Sequence, residues 1–187
     1  MSKKDNSTEL DKLPRPGSLL YDVTYGSEEA RKKVINRFKL LNKYITVPLY
    51  RAGILPLFGF GRLFLLLYTK GRKTGKTRIT PVEYHRINGV IHIFSSRGKR
   101  ADWIKNMLAN PDAVQVRIGF RKFKPRIEIV EDKSEQEEIM RWYVRKHPKY
   151  AKTLMGWDPK KDNPETTDLS DIINKITIVR LYEPEKE

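Results

Sequence analysis

Two short segments concentrate the side chains able to do chemistry. Gly71-Arg72-Lys73-Thr74-Gly75-Lys76-Thr77-Arg78 sets cations and hydroxyls between glycines, and Ser95-Ser96-Arg97-Gly98-Lys99-Arg100 repeats the theme. Guanidinium, ammonium and hydroxyl donors beside glycine suit an anion, because charge-assisted hydrogen bonds are strong and a missing Cβ permits close approach. Successive N–H groups around Gly71 and Gly75 are expected to add a concave nest. A P-loop is excluded: three residues, not four, separate the glycines, and Ile79-Thr80-Pro81-Val82-Glu83-Tyr84 reads as strand where that motif opens a helix. Gly59-Phe60-Gly61 lacks the third glycine of a dinucleotide-binding turn.

For the two loops to converge on one ligand, rigid elements must carry them. An apolar strand from Leu63 to Tyr68 leads into the first loop, and a second strand, Ile79 to Ile87, leaves it. Asn88-Gly89 accepts the positive φ values of a tight hairpin turn into a third strand, Val90 to Phe94. The second loop then opens an amphipathic helix around Trp103 to Leu108. Ala113 to Ile118 and Lys122 to Val130 alternate around Gly119-Phe120 as a second hairpin, with Pro125 marking an edge or bulge in its later strand. Ser134, with Glu135, Glu137 and Glu138, opens a helix to about Lys146, and Lys149 to Met155 reads as another. A helical turn at Asp171 to Asn174 and a strand at Lys175 to Tyr182 close the chain. Short antiparallel strands with inserted and appended helices argue for a small β-barrel of α+β class.

Upstream, residues 1–26 read as a flexible polar tail and 27–187 as a single domain. That domain begins with a basic amphipathic helix, where Val34, Ile35, Phe38, Leu41 and Ile45 recur among Lys32, Lys33, Arg37, Lys39 and Lys43. Such a stripe packs on its own domain or lies on an anionic membrane surface, and packing is the expectation. Leu49 to Phe60 is an apolar connector punctuated by Pro and Gly.

Composition narrows the chemistry. With no Cys, disulfides, thiolate metal sites and thiol nucleophiles are excluded, and His85, His92 and His147 give little scope for a metal centre. Glu83 and His85 read as surface residues and His92 as a satisfied strand histidine. The net charge of +15 attracts polyanions. A nucleic-acid module is disfavoured, since no basic strand is interleaved with aromatics. Met1 to Lys12 carries no apolar signal core, and prolines and arginines break the apolar run from Ile45 to Tyr68. A cytoplasmic location is the expectation, with a peripheral position at the inner membrane face as the alternative.

Thr69-x-Gly71-Arg72-Lys73-Thr74-Gly75-x-x-Arg78-x-x-Pro81-x-x-Tyr84 resembles the signature of the deazaflavin-dependent nitroreductase family. The likeness continues through Ser95-Ser96-Arg97-Gly98, Trp103, Asn106 and Leu108-Ala109-Asn110-Pro111, and upstream through Pro48-Leu49-Tyr50-Arg51. It covers about Lys43 to Val130. The resemblance implies a split β-barrel of mainly antiparallel strands with flanking helices, FMN-binding-like, which takes coenzyme F420. On this likeness Lys73, Thr74 and Arg78, with Arg72 beside them, hold the cofactor phosphate. Ser95, Ser96, Arg97, Gly98 and Lys99 close from the second loop, while Pro81, Tyr84 and Phe94 line the ring beside Trp103. Tyr143 and Tyr150 lie where related proteins place substrate-facing tyrosines, which implies hydrogen-bond or proton donors to a quinone or nitro oxygen.

The implied activity is hydride delivery to a hydrophobic acceptor. No triad or carboxylate pair is needed for it, because the cofactor supplies the hydride. FMN on the same fold, and a non-catalytic binding protein with the same site, stand as alternatives. Barrels of this kind often pair, so a homodimer is compatible. The chain departs from the family where a His-Pro pair and a Tyr-His-Asn run are common: it has Arg100-Ala101-Asp102 and Ile104-Lys105-Asn106.

Overall fold

The computed structural model describes residues 12–185, so the first eleven residues of the expected tail lie outside the described residues. In chain order the helices are α1 (Leu19–Tyr25), α2 (Glu28–Leu41), α3 (Val47–Arg51), α4 (Ile54–Leu57), α5 (Asp102–Ala109), α6 (Lys133–Lys146), α7 (Pro148–Met155) and α8 (Ser170–Lys175). The strands are β1 (Phe64–Lys70), β2 (Thr77–Ile87), β3 (Val90–Ser95), β4 (Gln115–Ile118), β5 (Arg121–Phe123), β6 (Arg126–Ile129) and β7 (Thr177–Tyr182). The chain divides into two compact units. One is helical, Met1–Lys33 with Glu131–Ile176; the other, Val34–Val130 with Thr177–Glu187, holds the sheet.

The sheet runs β5-β4-β1-β2-β3-β7-β6, with each neighbouring pair antiparallel. β2 changes partner along its length: Thr77–Glu83 pair with β1, and Tyr84–Ile87 pair with β3. Pro81 sits in the stretch paired on one side only, where a residue without an N–H is tolerated. Asn88 (φ 50°) and Gly89 (φ 81°) adopt the positive values expected of the β2–β3 turn.

The strand expected over Lys122 to Val130 is two strands. Lys124 and Pro125 part β5, which pairs with β4, from β6, which pairs with β7. Those two strands are opposite edges of the sheet order yet only two residues apart in sequence, so the sheet has to curl until its edges approach. Glu183, just after β7, sits at this closure: it accepts from Arg121 of β5 (2.9 Å) and from Arg86 of β2 (3.0 and 3.2 Å). The product is a curled, antiparallel split barrel with flanking helices. Leu65, Leu67, Val82, Ile91, Ile93, Val179 and Leu181 fill its interior with Ile104 and Met107 of α5. Each such side chain, fully buried, stabilises by about 1.5–3 kcal/mol.

In the helical unit α7 packs against α1 and α6, and α6 packs against α8. Leu20, Val23, Ile139, Met140, Tyr143, Trp157 and Ile172 are buried there. Part of the expected tail is therefore structured: α1 buries Leu20 and Val23, and Arg15 makes a bidentate pair with Asp162 at 2.6 and 2.7 Å. The cap of α6 is Asp132, whose carboxylate accepts from the Glu135 amide at 2.8 Å, rather than the expected Ser134. Asp offers the backbone a charged acceptor two residues earlier than the hydroxyl does.

Candidate functional site

β1 and β2 deliver the first loop as a closed turn. The Gly71 amide donates to Lys76 O (2.9 Å), and the Thr74 and Gly75 amides both donate to Gly71 O (3.2 and 2.7 Å). The Arg72 amide donates to Asn106 Oδ1 (3.2 Å). The backbone nest expected here is therefore not formed: the amides at 71, 72, 74 and 75 close the turn and tether it instead.

Side chains take over the task. A Cβ built on Gly71 would lie 3.0 Å from Thr74 Oγ1, 3.1 Å from Lys76 O and 3.6 Å from Arg78 Nε, so the glycine lets hydroxyl and guanidinium come close together on a tightly closed turn. Lys73, Thr74, Lys76 and Arg78 are exposed. Among the described residues Lys73, Lys76 and Arg78 make no ion pair, which leaves their charge for a ligand.

The two loops are brought together through α5. Arg72 Nη1 donates to Asn106 Oδ1 at 3.0 Å, and Arg72 Nη2 lies 3.3 Å from Asp102 Oδ1. Asn110 adds a contact from Nδ2 to Lys70 O at 3.5 Å. Asp102 follows the second loop directly, so this tie sets Ser95–Arg100 beside the turn. Arg72, expected against a phosphate, thus has two donors committed to α5. Asn106 and Asp102 carry this tie, a role the sequence reading did not give them. Asn106 is buried beside the equally buried Ile104 and Met107, and no local pattern in the sequence announces that burial.

Within the second loop, Ser95 is buried and its hydroxyl donates to Gly98 O at 3.0 Å, while Gly98 adopts φ 55°. Both shape the loop. Ser96 and Arg97 are half-buried and Lys99 is exposed. Pro81 is half-buried on β2, and Trp103 packs against the barrel core. Phe94 is half-buried, its ring 5.7 Å from that of His85.

Tyr84 points into the core and donates its hydroxyl to Gly61 O at 2.9 Å. Burial holds that hydroxyl above the ordinary phenol range, so it is a neutral donor at neutral pH. Glu83 and His85 are not simple surface residues: His85 is buried, with Nε2 3.0 Å from Glu83 Oε1. His92 is satisfied by Val90 O (3.0 Å) and by Arg180 Nε (3.2 Å). Tyr143 and Tyr150 belong to the helical unit. Tyr143 is buried, with its ring 5.8 Å from that of His147, and Tyr150 is 45% exposed.

Residues 57–160 match the family model described as F420H(2)-dependent quinone reductase. The F420H(2)-dependent quinone reductases Rv1261c and MT1299, from two strains of Mycobacterium tuberculosis, are each 37% identical over 62 residues. That match covers 32% of this chain and 41% of each relative, so the chain spans less than half the length of the curated relatives it matches. A solved structure described as an F420-H2 dependent reductase (FDR-A) is 25% identical, with a TM-score of 0.43 over 64% of this chain and 94% of the other. The conserved hypothetical protein Rv2991 from Mycobacterium tuberculosis is 16% identical, with a TM-score of 0.45 over 70% and 79%.

Proposed function

The chain belongs to the F420H(2)-dependent quinone reductase family, and on that premise we propose that it transfers hydride from reduced coenzyme F420 to a hydrophobic acceptor of the quinone class. The observation that carries this reading is the turn itself, which exposes Lys73, Thr74, Lys76 and Arg78 together, with the three cations in no ion pair among the described residues. A phosphate monoester suits that combination of hydroxyl, ammonium and guanidinium donors, so the residues present fit the cofactor's phosphate.

When bound, the deazaflavin supplies the hydride; the chain binds, orients and shields. Lys73, Thr74 and Arg78 hold the phosphate, and Ser96, Arg97 and Lys99 approach from the second loop. Arg72 holds the loops in register through α5. Pro81, Phe94 and Trp103 offer apolar surface to the ring, with Tyr84, Ser95 and Gly98 as the frame behind them. Surplus cations around the turn suit an acidic tail. Of the two tyrosines expected as donors to the acceptor oxygen, the exposed Tyr150 is the better candidate, since Tyr143 is buried within the helical unit. The stripe of the basic helix α2 leaves Phe38 and Leu41 exposed instead of packing them on its own domain as expected, and it holds the enzyme at an anionic membrane, where hydrophobic quinones reside.

A fluorescence titration with F420, run beside FMN, tests the site. Tight F420 binding is expected, falling by about tenfold to a hundredfold in Arg78→Glu, where attraction becomes repulsion beside the phosphate. Preference for FMN would overturn the cofactor assignment, and binding of neither would overturn the oxidoreductase reading.

A further inference from the structure

Between Glu29 and Glu83 the chain contains thirteen Lys and Arg residues and no acid. Within this stretch a second feature stands apart from α2. The short helix α4 is bracketed by Gly53 and Gly59, both at φ 84°, and it presents Leu57 (76% exposed) and Phe58 (78% exposed) to the outside. Ile54 is also exposed. The β4–β5 turn adds Phe120, 66% exposed, whose Cε1 lies 3.0 Å from where a Cβ on Gly53 would sit.

This apolar tip is fastened to the barrel. The Tyr50 hydroxyl donates to Phe64 O (2.8 Å) and accepts from the Gly119 amide (2.9 Å), and Arg117 Nη1 donates to Arg51 O (3.2 Å). Exposed Arg51 and Arg62 flank it. Rigidly presented large hydrophobic side chains beside cations are costly to leave in water and match the boundary between acyl chains and anionic headgroups.

We infer that Ile54, Leu57, Phe58 and Phe120 form a membrane-docking tip, entering the interface of an anionic bilayer while Arg51 and Arg62 meet its headgroups. No helix among the described residues is long and apolar enough to cross a membrane, so the contact is peripheral. A second copy of the chain is the poorer occupant, because a two-fold contact would set exposed Arg51 and Arg62, in a stretch of sequence without acids, against their own copies. The inference goes beyond the cofactor reading and does not rest on it.

Co-sedimentation of the full chain, without cofactor, with phosphatidylglycerol–phosphatidylcholine vesicles and with pure phosphatidylcholine vesicles tests the tip. Binding to the anionic vesicles is expected, with a loss of about tenfold or more in the double variant Leu57→Ser/Phe58→Ser. Arg51→Gln/Arg62→Gln should lose the preference for anionic lipid by several-fold. All four side chains are already exposed, so both variants should keep wild-type far-UV circular dichroism and F420 titration, which separates failure here from failure of the cofactor site. Equal vesicle binding by wild type and Leu57→Ser/Phe58→Ser would overturn the inference. So would sedimentation velocity showing that this variant abolishes a dimer while vesicle binding is unchanged.

Discussion

Gly71 shows how one absent atom can define a site. A methyl group there would meet Thr74 Oγ1 at 3.0 Å and Lys76 O at 3.1 Å, and one of those neighbours is backbone that cannot swing aside. Gly71→Ala should therefore fold, since φ is not in the left-handed region, but lose about tenfold in F420 affinity as the hydroxyl and guanidinium are pushed apart. Unchanged affinity in a titration would show that the anion is held elsewhere. The glycine, threonine and arginine were legible in the sequence as anion-binding chemistry. Their mode of action was not, because which amides a turn spends on itself depends on its hydrogen bonds, and here those at 71, 74 and 75 are spent. The partners of Arg72 were hidden for a related reason: its charge is visible in the sequence, but Asn106 and Asp102 lie 30 or more residues away.

At the scale of elements, the helical unit is pinned by the Arg15–Asp162 pair, invisible in the sequence because its members lie 147 residues apart. Burial alone pushes the Asp162 carboxyl up. The Arg15 hydrogen bonds, the Asp158 amide (2.7 Å) and nearby positive charge together outweigh it, and the folded value lies below the ordinary one. A group depressed in this way stabilises the fold fully above its unfolded pKa of about 4, and that contribution drains away as pH falls through the lower folded value. The Tm of the wild-type protein should thus fall on acidification below about pH 4 more steeply than that of Asp162→Asn, which begins lower and lacks this titration. Parallel acid limbs in a calorimetric pH series would refute the assignment. The hairpin β2–β3, by contrast, was readable residue by residue, since Asn88-Gly89 encodes its turn locally.

For the whole molecule, closure of the sheet is the decisive event. Glu183 gathers Arg86 and Arg121 where the two edges approach, and this hydrogen bonding raises the Arg86 guanidinium pKa further. Glu183→Gln should lower the urea midpoint by the equivalent of about 1 kcal/mol, a modest value because the cluster is partly solvated; no change would leave closure to Lys124-Pro125 and the core alone. By itself the sequence determined what is local: strand periodicity, the tight turn, the basic loops and the absence of thiol chemistry all follow from neighbouring residue types. It also carried the family likeness, because that too is a pattern of spacings. Only the tertiary structure decided how two strands two residues apart become opposite edges of one sheet, that α1 belongs to a packed helical unit, and that α5 ties both loops together. Those outcomes depend on contacts between residues far apart in the chain, where packing and hydrogen-bond satisfaction, rather than local propensity, select the arrangement.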